Sequence, residues 1–155
     1  MIDSIVFDLD GTLIDSLPDV LASMNLMLAE EKRRPLSLTE LSNMVGRGVT
    51  PMVEDAYNMT GKAIASPIEL KDAAQRYINH YKANPVGHTV VFPNVIETLR
   101  KLKEEGLIKH IGVSVQSPQE LSFVLQNKDI SIIQLPYNIL DYRWEIVVDV
   151  IKQER

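Results

Sequence analysis

Two carboxylates one residue apart, Asp8 and Asp10, followed at once by Gly11, are the side chains of this sequence best placed to do chemistry. They end a short apolar run, Ile2–Leu9, rich in β-branched and aromatic residues, which predicts a buried strand of a parallel sheet. Alternation along such a strand points Asp8 and Asp10 to one side. The C-terminal ends of strands are where open α/β sheets bind ligands. Gly11 lets the chain leave the strand sharply and brings backbone N–H groups toward an anion. A Mg²⁺ ion takes hard oxygen ligands from a carboxylate and a phosphate together and offsets their repulsion. One carboxylate can then attack phosphorus while the other moves protons. The same Asp-x-Asp-Gly pattern also suits a solvated turn closing a strand.

The elements that must position these groups follow in two blocks. Leu17, Val20, Leu21, Met24 and Leu28 share one helical face, with Pro18 tolerated in the first turn. Ser37/Glu40, Ser66/Glu69 and Ser117/Glu120 each have capping-box spacing, and Pro67 and Pro118 stand at first helical positions. Thr50-Pro51 opens a further helix after the Gly46-Arg47-Gly48 turn. Residues 15–85 therefore read as helical throughout, a subdomain placed directly after the first strand. Strand character returns late: Pro93 starts a helix that stops at Gly106, Ile108–Val115 reads as a strand, Ser117–Asn127 as a helix and Ile130–Leu135 as a strand. Asp141 then caps a last helix that buries Trp144, Val147, Val148 and Ile151. The alternation predicts an α/β fold, a Rossmann-like core with a short parallel sheet. In it Ile108–Val115 would pair beside Ile2–Leu9 and Ile130–Leu135 would extend the sheet. The expected division is a core of residues 1–14 and 90–155 with a helical cap of 15–89. One edge of that sheet would be open, which allows a homodimer.

The chain has 155 residues, 45% of them hydrophobic and 24% charged, with no Cys and a formal charge of −5. Thiol nucleophiles, thiolate metal sites and disulfides are excluded. An acidic balance gives no general attraction to nucleic acid or anionic membranes, and Lys32-Arg33-Arg34 is too short a basic run to argue otherwise. No apolar run is long enough to span a bilayer, and the N-terminus lacks a basic leader, so a cytoplasmic setting is expected. Met24, Met27, Met44, Met52 and Met59 read as packing residues of the helical block. His80, His88 and His110 lack metal-ligand spacing and read as surface or loop positions.

The ten residues FDLDGTLIDS, Phe7–Ser16, resemble the first signature of the haloacid dehalogenase (HAD) superfamily of phosphatases. MVGRGVTPMVEDA and YINHYKANPVGHTVVFPNVIETLRKLKEEG resemble its phosphoglycolate phosphatase branch, with Pro93-Asn94 where that branch usually has Pro-Gly. The resemblance covers about residues 1–107 and implies a HAD core with a helical cap after its first strand. It implies Asp8 as the nucleophile forming an aspartyl-phosphate and Asp10 as general acid/base. Mg²⁺ would be bound by the Asp8 carboxylate and the Asp10 backbone carbonyl. Gly11 and Thr12 fall in the same phosphate-facing loop, and Arg47 lies at a cap turn where a substrate anion is met. Ser114 occupies the place of the second signature, whose hydroxyl holds the phosphate. The third and fourth signatures, a lysine and an acidic pair, are not recognisable. Lys128, Lys152, Asp141 and Asp149 lack the expected surroundings. The resemblance thus implies a phosphatase for a small phosphorylated metabolite, weakened by the missing charges.

The tail resembles a different family. IGVSVQSPQEL followed by IIQLPYNILDYR is similar to the middle of an aldo-keto reductase barrel, in which Ser114 and Gln134 would hydrogen-bond the nicotinamide of NADPH. A barrel needs eight strand–helix units, which this tail cannot supply. Joining the two resemblances near residues 104–107 gives a chimeric chain. The alternatives to a phosphatase are accordingly an inactive fused or truncated product and an NADPH-binding fragment.

Overall fold

The computed structural model describes residues 5–138 and 141–144. The chain divides into two compact units, Met1–Ile96 and Glu97–Arg155.

In the first unit, β1 (Ile14–Asp15) leads into α1 (Leu17–Glu30), α2 (Leu38–Ser42), α3 (Val49–Thr60) and α4 (Pro67–Ala83), and the chain returns through β2 (Val90–Val91). The helices form for the reasons their sequences give. Pro stands in the first turn of α1 and α4. Ser37 and Glu40 form a complete capping box on α2. The Ser66 hydroxyl accepts from Ile68 N on α4, so the box spacing there yields only a one-sided cap. The apolar faces meet in one core: Met24, Met27 and Leu28 of α1, Met52, Val53, Ala56 and Tyr57 of α3, and Ala73, Ala74 and Tyr77 of α4, closed by Leu36, Leu41 and Met44. Met59 departs from its expected packing role and is exposed. Asn25 holds the α1–α2 connection like a strand partner, accepting from Leu36 N (2.8 Å) and donating to Leu36 O (3.1 Å).

Within the run Lys32-Arg33-Arg34, the two arginines turn out to staple this unit. The Arg33 guanidinium stacks 4.0 Å from the Tyr57 ring and donates to the Tyr57 and Lys62 carbonyls, and Arg34 donates to Glu40 and the Met59 carbonyl. The Tyr57 hydroxyl donates to Glu31 and accepts from Arg76; burial pushes its pKa up to about 12.

β1 and β2 pair antiparallel, Ile14 opposite Val91 and Asp15 opposite Val90. Both ends of the helical block thereby lie side by side. α5 (Val95–Glu104) follows, starting two residues after Pro93 because Asn94 takes a left-handed φ of +68°. That is the position where the resembled branch carries Gly, and Asn is among the residues that tolerate it. α5 ends as expected at Gly106, φ +69°, with Leu107 N and Ile108 N donating to the Leu102 carbonyl.

In the second unit, β3 (Ile111–Ser114), α6 (Pro118–Val124) and β4 (Ile130–Gln134) form a right-sized βαβ unit, ending in a short 3-10 helix, Tyr142–Trp144. β3 and β4 are parallel, as expected, with Gly112 opposite Ile132 and Ser114 opposite Gln134. Val113 and Ile133 pack on Val115, Leu121 and Trp144. Ser117 accepts from Glu120 N, while the Glu120 carboxylate reaches Gln116 N instead of closing the box.

The expected first strand is the main correction. Residues 5–9 form no strand, and Ile5 and Val6 are 63% and 92% exposed. A parallel strand is held by ladder partners and covered faces. Among the described residues, the two sheets have two strands each, and none supplies such a partner to residues 5–9. The expected three-stranded sheet is therefore absent from the described residues. Val147, Val148 and Ile151 of the expected last helix lie outside them, as do Asp149 and Lys152. No helix among the described residues is long and apolar enough to cross a membrane.

Candidate active site

The chain from Leu9 to Ile14 folds back on itself. The Leu9 carbonyl accepts from Thr12 N (3.3 Å), Leu13 N (2.9 Å) and Ile14 N (3.1 Å), and Gly11 N donates to the Ile14 carbonyl (2.8 Å). Gly11 makes the reversal possible with a φ of +74°. An isolated parallel bridge joins Asp10 to Ile14. The backbone N–H groups of Gly11 and Thr12, expected to face an anion, are thus donated within the loop. Both residues are exposed, as are Asp8 and Asp10.

Asp8 has no hydrogen-bond or ion-pair partner among the described residues, which leaves its carboxylate oxygens open to a ligand. Asp10 is held: Ser16, buried at the start of α1, donates its hydroxyl to Asp10 Oδ1 at 2.6 Å. Ser16 is the residue that would ordinarily cap α1, yet it makes no cap bond. Asp15 Oδ1 accepts from Leu17 N in its place.

Sequence reasoning missed the most enclosed charge of the unit. Asp19, in the first turn of α1, is 1% exposed. Its Oδ1 accepts from His88 N (2.8 Å) and lies 3.0 Å from His88 Nδ1; its Oδ2 accepts from Thr89 N (2.7 Å) and Thr89 Oγ1 (2.6 Å). These bonds, led by the Thr89 hydroxyl, hold the carboxyl at a pKa of about 2 against the opposing effect of burial. The only signal in the sequence was an acid one turn into a helix, on the face that must be buried. Its donors lie 69 and 70 residues away.

Arg47 sits between Gly46 (φ +98°) and Gly48 (φ +93°) and pairs with Asp55 of α3, a partner the sequence did not indicate. Its side chain is 61% exposed. Ser114 and Gln134 belong to the second unit, at opposite positions of β3 and β4, and the Ser114 hydroxyl donates to Gln134 Oε1 at 3.1 Å. Each therefore partners the other. Asp141 accepts from Arg143 N and pairs with the Arg143 guanidinium, which holds its pKa at about 2. Lys128 is exposed.

The residues fit a Mg²⁺ ion by their chemistry. Asp8 offers an unpartnered carboxylate and Asp10 a backbone carbonyl in the same loop, both hard oxygen donors. Among the described residues, no cluster of three or more His, Cys, Asp or Glu could hold a metal, so an ion here would keep several waters.

A phosphoglycolate phosphatase of Cereibacter sphaeroides is 38% identical over 104 residues, covering 66% of this chain and 46% of that protein. One from Caulobacter vibrioides is 37% identical over 106 residues, covering 66% of this chain and 43% of that protein. The chain spans about half the length of the curated relatives it matches. In the fold, it superposes on the crystal structure of a predicted phosphoglycolate phosphatase from Haemophilus somnus with a TM-score of 0.61 and 22% identity, over 95% of this chain and 69% of that one. These relatives lend the reductase resemblance no support. The family model for haloacid dehalogenase-like hydrolases spans residues 5–134, across the supposed join near 104–107, and takes in Ser114 and Gln134. From the Asp8 loop to the end of β4, then, this chain belongs to the haloacid dehalogenase-like hydrolases.

Proposed function

We propose that the chain carries the nucleophile half of a Mg²⁺-dependent phosphatase for small phosphate monoesters of the phosphoglycolate kind. The observation that carries this is the pair of aspartates on one loop in opposite conditions, Asp8 open and Asp10 tethered by Ser16. The relatives named above as phosphoglycolate phosphatases support it.

Asp8 attacks phosphorus through one carboxylate oxygen. A phosphorus–oxygen bond forms to Asp8, the ester phosphorus–oxygen bond breaks, and Asp10 gives the leaving alkoxide its proton. Water then attacks the aspartyl-phosphate, Asp10 takes a proton from it, and phosphate leaves with Asp8 restored. The Asp8 carboxylate and Asp10 carbonyl would hold Mg²⁺, whose charge offsets the repulsion between Asp8 and the phosphate. Arg47 would release Asp55 to meet a substrate anion, and the Thr12 hydroxyl, in the same loop as Asp8, would bind a phosphoryl oxygen. No lysine or acidic pair with the family's surroundings is recognisable. Such charges stabilise a transition state by about 3–4 kcal/mol each, so the residues named above, acting without them, would turn substrate over slowly.

The test is phosphate release from phosphoglycolate and an aryl phosphate with Mg²⁺. The expected rate is below about 1 s⁻¹, the low end for enzymes. Asp8→Asn and EDTA should each abolish it. Release that persists in Asp8→Asn would sink the reading, and release at ordinary enzyme rates would sink the impairment.

A further inference from the structure

Asp19 lies too deep to touch a substrate, yet its bonds lead to one that does. Every donor to its carboxylate comes from the dipeptide His88-Thr89, which runs directly into β2. Each oxygen accepts from at least one backbone N–H, so a neutral amide there must turn its NH₂ group against a donor. On the other side, Asp19 N donates to the Ser16 carbonyl at 3.1 Å, fixing the first turn of α1. Ser16, whose place that turn sets, gives its hydroxyl to Asp10 instead of to its own helix. β1 and β2, paired two residues wide, close the circuit beside the same turn.

We propose that Asp19 is a positioning residue for Asp10: by pinning the returning segment at His88-Thr89 to the first turn of α1, it sets the Ser16 hydroxyl and so the direction of the Asp10 carboxylate. Two strands of two residues are too short to hold this junction by themselves, and Asp19 supplies the bonds the short ladder lacks. The consequence for turnover rests on the phosphatase reading; the consequence for the Asp10 carboxylate does not.

The experiment reads the carboxyl ¹³C resonance of Asp10 at pH 7.5 in the full chain with labelled aspartate, assigned by its loss in Asp10→Asn. Ser16→Ala removes the last link and should shift the resonance. Asp19→Asn should shift it in the same direction, and the double variant should show no more than Ser16→Ala alone. Thr89→Val, which removes one bond of the set, should give a smaller shift, and Thr89→Ser should restore the wild-type position. Should Asp19→Asn fail to fold, the Thr89 pair carries the same comparison. A lowered melting temperature with the Asp10 resonance unmoved in Asp19→Asn, or in Thr89→Val, would make Asp19 a structural pin only and overturn the proposal. Where the wild type turns over substrate, Asp19→Asn should lower kcat at least about tenfold with KM within about twofold, the pattern of a misplaced proton-transfer group. A wild type without turnover would end the phosphatase reading and leave the resonance result to decide the role of Asp19.

Discussion

Asp8, Asp10 and Asp19 sit within twelve residues of one another, and their surroundings give them three different conditions: open, tethered and enclosed. The enclosed one should govern acid stability. Its folded pKa is about 2, lowered from 3.8, so the ionised form is favoured by folding. Its contribution is complete above the unfolded value and is lost as pH falls through the folded one. An acid titration followed by circular dichroism should therefore show a loss of stability between about pH 4 and pH 2, and the loss in that window should shrink in Asp19→Asn. An identical acid profile in that variant would contradict the assignment. At this scale the sequence reveals what lies close along the chain. Asp8 and Asp10 were legible because their relation is local, whereas Asp19 and the Arg47–Asp55 pair are made by partners that only folding brings together.

Helices were legible because their causes are local as well: a proline in the first turn, a serine cap, a 3.6-residue apolar stripe. The three serine boxes nevertheless differ, because the second half of each box depends on where a glutamate side chain finds its best donors. Only Ser37/Glu40 closes fully. Ser37→Ala should cost about 1 kcal/mol in chemical denaturation, and Glu40→Ala should lower the melting temperature more than Glu69→Ala. Equal effects of the two glutamates would show that the closed box adds nothing. Asn94 offers a second check on backbone causes. Asn94→Ala should cost about 1–2 kcal/mol at its positive φ, and Asn94→Gly should not destabilise. Strands were read less well. The apolar run before Asp8 has every local mark of a strand, but a strand exists only with a partner, and no local pattern supplies one. The βαβ of the second unit was readable because strand, helix and strand follow one another and pair together.

At the scale of the molecule, the described residues of the two units contrast in what they bury. The first encloses a core drawn from four helices, and the second gathers Val115, Leu121 and Trp144 between a two-stranded sheet and one short helix. Backbone amides of α1 and α4 should therefore be protected from hydrogen exchange longer than those of β3 and β4. Equal protection would mean the second unit gains stability from elsewhere. The β1–β2 pair carries a different consequence. Asp15 and Val90 stand opposite each other on one ladder, so the chain enters and leaves the helical block at neighbouring points, about 5 Å apart as ladder pairs are. Everything between them packs on a core of its own. Such a block behaves as a plug-in cassette: it could be exchanged for another of different shape, or trimmed, while the loop of Asp8 and Asp10 sees the same two anchor points, which gives evolution or an engineer a place to change the block without rebuilding the loop.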